Sequence, residues 1–315
     1  MLYQAILGRA ADNVGRQQKV DRLVGGSGTL MQVVQEFLDC AELAEKRRLL
    51  RPRLTSFPVF PDAEIFVDRD CIDALFAKTA TYWRNTASRP EEIYWSVLTE
   101  THWNRALTLA DRQAFVGTGR GYAERLLASF TALTGRSVDD IRCLDFGCGV
   151  GRLAINFAPR VAEVCAVDFS PAHLEELRNN ASLFGCGEKI STWLLQLPAD
   201  LDGVPPADLV YSLVALQHNT PPVIAFVLRS LLGHLRPGGL AFLHVTLAKA
   251  GYAGFAVRDY LADPAAGTTM EVHFLPRANI NDVARRAGCE IVTSQCVGGN
   301  DYAYSEEFVF RRRSS

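Results

Sequence analysis

Between residues 143 and 153 the chain reads Cys143-Leu144-Asp145-Phe146-Gly147-Cys148-Gly149-Val150-Gly151-Arg152-Leu153, an apolar run, three alternating glycines and a return to helix-like sequence. No other stretch restricts the fold as much. Glycines let a backbone approach a ligand where a Cβ would clash. A dinucleotide fingerprint needs Gly-x-Gly-x-x-Gly, and its third glycine position is Arg152 here. That departure argues against a nicotinamide or flavin site. The next apolar run ends in Ala166-Val167-Asp168, about 20 residues after the first glycine, where a carboxylate can accept hydrogen bonds from both ribose hydroxyls.

From residue 141 onward, strand-like and helix-like runs alternate. Strands are expected over 141–146, 163–168, 190–195, 208–213 and 240–245, with two more at 290–296 and 307–312. Helices are expected over 152–159, 171–184, 223–235 and 279–287. Such alternation predicts an α/β fold, a mostly parallel sheet with helices on both faces.

The first half of the chain reads differently. Residues 1–50 form a small helical module by pattern. Leu2, Tyr3, Ile6 and Leu7 make one stripe, Val20, Leu23 and Val24 another, and Thr29 to Gln32 is a capping box. Pro52, Pro58 and Pro61 mark a linker. Residues 51–137 are expected to hold this linker and a helical cap or substrate region, and 138–315 the main domain, with an acceptor-site insertion at 246–275. Tyr82, Trp83, Tyr94, Trp95 and Trp103 crowd the cap. They either pack helices onto the main domain or line a substrate cleft.

Composition narrows the partners. Of 315 residues, 48% are hydrophobic and 22% charged, enough to bury a large core. A net charge of -2 gives no pull toward nucleic acid. No apolar run approaches the roughly 20 residues of a membrane span. No secretory leader is recognised at the start. None of the eight cysteines form a Cys-x-x-Cys pair, so they read as reduced thiols in a cytoplasmic protein.

The glycine turn, its flanking strand and helix, and Asp168 together resemble the class I S-adenosylmethionine methyltransferases, over residues 141–245. The resemblance implies a Rossmann-like seven-stranded sheet with N-terminal helical appendages. It implies S-adenosylmethionine as cofactor and S-adenosylhomocysteine as product. Asp145, Gly147 and Gly149 would cradle the methionine and ribose part, with Phe146, Cys148 and Gly151 in the same loop. Asp168 would hold the ribose, with Phe169 beside it. Gln196, with Leu197, would sit at the adenine edge. The end of the fourth strand, Ser212 and Leu213, would lie near the sulfonium. Tyr94 to Thr99, Phe115 to Arg120 and Leu216 to Asn219 look like a bacterial subgroup associated with glycan and polysaccharide gene clusters. That likeness would bring Trp95, Thr118 and Arg120 near the cofactor. The opening residues, Leu2 to Arg9 with Asp12 and Gly15, resemble a phycobilisome-linker-like module, a docking or dimerising appendage. Its usual aromatic pair is replaced by Gln17, Gln18 and Lys19.

Methyl transfer is an in-line displacement, so an enzyme mainly aligns the acceptor and excludes water. An oxygen acceptor also loses a proton, which a histidine can take. His218, after the fourth strand, is the leading catalytic candidate and His273 the second. Each is weighed against a structural histidine. His102 and His244 are weaker. Asp200 and Asp202 read as a solvated loop, and no metal site is expected. Three readings stay open: O-methylation of a sugar, glycan or other small hydroxylated acceptor; methylation of nitrogen or carbon in a natural product; and a scaffold protein that retains the fold.

Overall fold

The computed structural model describes Asp21 and residues 63–250, 252, 254–299 and 303–314. The expected helical module at 1–50 and the proline-rich linker lie outside the described residues, except for Asp21, which is helical.

Seven strands form one sheet in the order β3-β2-β1-β4-β5-β7-β6. They are β1 (Arg142–Phe146), β2 (Glu163–Asp168), β3 (Ile190–Leu194), β4 (Ala207–Ser212), β5 (Leu235–Lys249), β6 (Cys289–Gly299) and β7 (Ala303–Arg312). β1 to β5 pair in parallel, and β7 runs antiparallel between β5 and β6. The order reverses between β1 and β4. At such a switch point an open α/β sheet forms its crevice, beyond the carboxyl ends of the strands.

Helices before the sheet are α1 (Arg69–Ala87), α2 (Leu109–Gly117) and α3 (Arg120–Thr134). Those between and after the strands are α4 (Ala154–Phe157), α5 (Pro171–Leu183), α6 (Pro221–Gly233), α7 (Val257–Ala262) and α8 (Arg277–Arg286). Alternate residues of each strand feed two cores. Leu144, Val167, Val210 and Leu243 pack toward Phe76 of α1, with α6 and α8. Cys143, Ala166, Leu209 and Phe242 pack toward α3, α4 and α5. A third cluster, Tyr94, Trp103, Phe115 and Val150, joins the segment before α2 to the glycine turn.

Two expected elements have different bounds. The helix over 152–159 is only Ala154–Phe157, followed by a 3-10 turn at Ala158–Arg160 that carries Pro159. Proline has no N–H to continue an α-helix. The fifth strand extends well past 240–245, because β7 pairs with it from Leu240 to Lys249. Among the described residues no helix is long and apolar enough to cross a membrane.

Candidate functional site

Gly147, Gly149 and Gly151 follow β1 with φ of 72°, 51° and 90°, the left-handed region. A Cβ on Gly147 would lie 2.3 Å from the Ala215 Cβ, and one on Gly149 2.5 Å from a Val97 methyl. Conformation and space therefore both demand glycine. The N–H groups of Gly147 and Cys148 donate to the Val167 carbonyl, at 2.8 and 3.1 Å, and tie the turn to β2.

Asp168, buried at the end of β2, accepts from the Gly149 N–H on one oxygen at 2.9 Å. It accepts from the Ser170 N–H at 2.9 Å and faces His173 Nδ1 at 3.3 Å on the other. Burial alone would raise its carboxyl. The His173 ring and the two N–H groups outweigh burial and hold it below the usual carboxylate range. His173 extends the chain of contacts, since its Nε2 lies 2.8 Å from Ser96 Oγ. Tyr94 donates to Glu176 and Asn180, and Asn180 donates to the Val150 carbonyl. Helix α5 thus clamps both the glycine turn and the segment covering it.

Asp145, on β1, is buried with its Oδ2 unpartnered, and the Tyr211 hydroxyl near it is unpartnered too. Burial pushes the Asp145 carboxyl up to about 8, with the charge of Arg152 opposing. A buried carboxylate oxygen without a donor is costly unless a ligand supplies one. Trp95 is part-buried in the covering segment. Thr118 and Arg120 flank Gly119, where a Cβ would meet the Arg152 carbonyl at 2.4 Å. Trp95 packs beside Val150 of the turn, whereas Thr118 and Arg120 are exposed and the Thr118 hydroxyl donates to the Phe115 carbonyl of its own helix.

Phe169 packs edge-on against Phe76 of α1, ring centres 5.0 Å apart. Arg84, also on α1, donates to the carbonyls of Phe169 and Leu195 at 3.2 and 3.3 Å. The N–H groups of Gln196 and Leu197 both donate to Asp200 Oδ2, at 2.7 and 2.8 Å. Asp200 thus braces that exposed loop. Two expected contacts change. Ser212 is fully buried and donates its hydroxyl to the Phe146 carbonyl at 2.9 Å, and the Phe146 ring is core. Both side chains are fully buried within the fold. Val214, two residues past Ser212, has φ of 60° and an exposed side chain. Such a backbone is an outlier for a β-branched residue.

Beyond β4 the expected histidines separate. His218 borders a narrow cavity with Thr79, Tyr82 and Trp83 of α1 and with Tyr260, Thr269 and Glu271 of the segment after β5. Its Nδ1 donates to the Glu271 carbonyl at 2.8 Å, and its ring meets Trp83 edge-on at 5.1 Å. Burial pushes His218 down to about 4, only partly offset by its bonds to the Glu271 and Val214 carbonyls. His273 does not border the cavity. Its Nε2 meets Glu271 at 2.9 Å and its Nδ1 meets the Tyr252 hydroxyl at 2.6 Å, so both ring nitrogens are occupied. Its expected catalytic part is corrected to a structural one. The crowded aromatics divide: Tyr94 and Trp103 are core, while Tyr82 and Trp83 line the cavity. Among the described residues no group of three or more His, Cys, Asp or Glu could hold a metal ion.

The family model described as a methyltransferase domain matches residues 119–294, from the start of α3 into β6. The chain belongs to the methyltransferase domain family. S-adenosylmethionine is the cofactor of that family. A ribosomal protein L11 methyltransferase of Ectopseudomonas mendocina (strain ymp) is 34% identical over 125 residues, 39% of this chain and 41% of that protein. The chain thus spans about two fifths of that curated relative. The magnesium protoporphyrin IX methyltransferase of Synechocystis PCC 6803, solved with S-adenosylhomocysteine bound, superposes with a TM-score of 0.52 at 18% identity. That match covers 74% of this chain and 99% of the other, and it shows a common fold.

The residues of this methyltransferase suit its cofactor. The unpartnered Asp145 oxygen, with the Arg152 charge nearby, fits an amino-acid head that carries both an ammonium and a carboxylate. The glycine turn leaves no Cβ in the way, and Asp168 retains acceptor capacity after its bonds to Gly149, Ser170 and His173. Arg84, His173 and Asp200 went unnoticed as site residues in the sequence. His173 carried the best signal, three residues after the helix-capping Ser170.

Proposed function

We propose that this methyltransferase methylates a hydroxyl of a sugar, a glycan end or another small hydroxylated acceptor. The acceptor binds between α1 and the segment after β5. One observation carries this reading: His218 lines that cavity with its Nδ1 at 2.8 Å from the Glu271 carbonyl. When the ring proton goes there rather than toward the Val214 carbonyl, Nε2 keeps its lone pair. The cavity offers the aromatic rings of Trp83, Tyr82 and Tyr260 beside the hydroxyls of Thr79 and Thr269. Flat apolar faces next to hydrogen-bonding groups suit a sugar ring. The closed cavity of about 10 Å³ has room for about one water, so the acceptor enters as α1 and the segment after β5 part.

S-adenosylmethionine supplies a methyl group already activated on a sulfonium. Asp145, Asp168 and the glycine turn hold the cofactor, Gln196 and Leu197 border its adenine edge, and Trp95, Thr118 and Arg120 cover it. His218 is neutral at physiological pH, so it can take the proton as the acceptor oxygen attacks. α1, clasped to the segment after β5 by Lys78, which donates to the Asp263 and Ala266 carbonyls, keeps water out. Residues 138–315 are the catalytic domain in this reading, and residues 63–137 its cover. The seven cysteines of the described residues are thiols, which suits a cytoplasmic setting.

The test is transfer of labelled methyl from S-adenosylmethionine to a panel of monosaccharides, nucleotide sugars and oligosaccharides. Hydroxyl methylation lost in His218→Ala supports the reading. Label on an amine or on a protein acceptor, the latter suggested by the ribosomal protein L11 methyltransferase, overturns it.

A further inference from the structure

The segment containing Glu271 docks on the turn after β4 by two hydrogen bonds. The His273 N–H donates to the Gln217 carbonyl at 2.7 Å, and His218 Nδ1 donates to the Glu271 carbonyl at 2.8 Å. A carbonyl only accepts, so this second bond puts the proton of neutral His218 on Nδ1 and the lone pair on Nε2. The Val214 carbonyl also faces the ring, so the two carbonyls compete for its proton, and the position of the Glu271 carbonyl decides whether Nδ1 carries it.

The Glu271 side chain fixes that carbonyl. Its Oε1 accepts from the Gly267 N–H at 2.9 Å. Its Oε2 accepts from the Tyr260 hydroxyl at 2.6 Å and from His273 Nε2 at 2.9 Å. His273 is held from behind by the Tyr252 hydroxyl at 2.6 Å. Three donors from three places in the chain thus converge on one carboxylate. The geometry points to Glu271 as a positioning residue that sets the tautomer of His218, so that Nε2 stays open to the acceptor's proton. This inference rests on the reading of His218 as the proton acceptor. Burial would raise the Glu271 carboxyl, but His273, Gly267 and Tyr260 outweigh it and hold the group down at about 2, so it stays ionised. An ionised carboxylate strengthens all three bonds.

The test is long-range proton–nitrogen correlation NMR on the full chain with labelled histidine. The chain has six histidines, so the His218 signals are assigned by their loss in His218→Gln. We expect the Nδ1–H pattern for His218 in the parent protein and a mixture of tautomers in Glu271→Ala. Tyr260→Phe removes one donor only and should give a smaller shift in the same direction, which keeps the test open if Glu271→Ala does not fold. An Nε2–H pattern in the parent, with the ring bonded to the Val214 carbonyl instead, overturns the inference. So does an unchanged Nδ1–H pattern in both variants. Turnover of His218→Ala is a separate readout: if it is normal, the base reading fails whatever the tautomer.

Discussion

The carboxyl end of the sheet is assembled in two ways. On the β1–β2 side, the glycine turn, Asp145, Asp168 and His173 all come from residues 145 to 173, and neighbours in sequence are neighbours in space. On the β4–β5 side, the cavity draws Thr79 and Trp83 from α1, His218 from the turn after β4, and Tyr260 and Glu271 from beyond β5. Part of that wall, α1, lies outside residues 119–294, the part that matches the methyltransferase family. A local motif builds the proposed cofactor side, whereas the proposed acceptor side depends on packing between distant segments. One side can thus be shared by a family while the other differs from chain to chain.

Substitutions that break one side and spare the other sharpen this contrast. The largest effect is expected from Gly147→Ala. Its Cβ would strike Ala215, and φ of 72° adds about 1–3 kcal/mol of strain. S-adenosylhomocysteine binding should be lost in calorimetry, with a lower melting temperature. Next is His218→Gln, for which we expect kcat to fall by roughly 10²–10⁴ in the labelled-methyl assay while S-adenosylhomocysteine affinity stays nearly constant.

The third prediction concerns pH. The Asp145 carboxyl, pushed up to about 8, is protonated at neutral pH before the cofactor binds. An ammonium partner favours the carboxylate, so binding expels a proton and affinity rises with pH, by up to about tenfold per unit below that pKa. Titrations from pH 6 to 8 should show this slope, and Asp145→Asn should flatten it. Because the folded pKa is raised, the free protein should also lose stability as pH rises through about 8.

A smaller effect is expected from Arg84→Ala, which removes two charge-assisted bonds to the Phe169 and Leu195 carbonyls. Cofactor affinity should weaken by roughly tenfold, since hydrogen bonds to charged groups are worth about 1.5–3 kcal/mol. This variant joins the two sides, because α1 also lines the proposed acceptor cavity. The smallest effect is expected from Val214→Gly. Relief of the left-handed strain should stabilise the protein by about 1 kcal/mol or less, seen in denaturant unfolding.

The fold around the proposed cofactor side was legible because its signal is local. Seven apolar runs became seven strands, and the glycine turn and Asp168 lie together at the switch point. Boundaries failed where a partner or a proline decided them, as in β5 and α4. His218 was legible as a candidate from its place after β4, but the bonds that occupy His273 were not. Arg84 meets Phe169 across 85 positions, and Glu271 meets His218 across 53. No periodicity or spacing in the sequence encodes such contacts. They exist only once the sheet brings α1 and the segment after β5 to the same end.

The central claim is that the glycine turn and its two acids hold S-adenosylmethionine. Calorimetric titration of the full chain with S-adenosylhomocysteine, beside Asp168→Ala, tests it most directly. We predict binding at micromolar concentration in the parent, lost in the variant. A folded parent, free of copurified cofactor, that gives no binding would contradict the account.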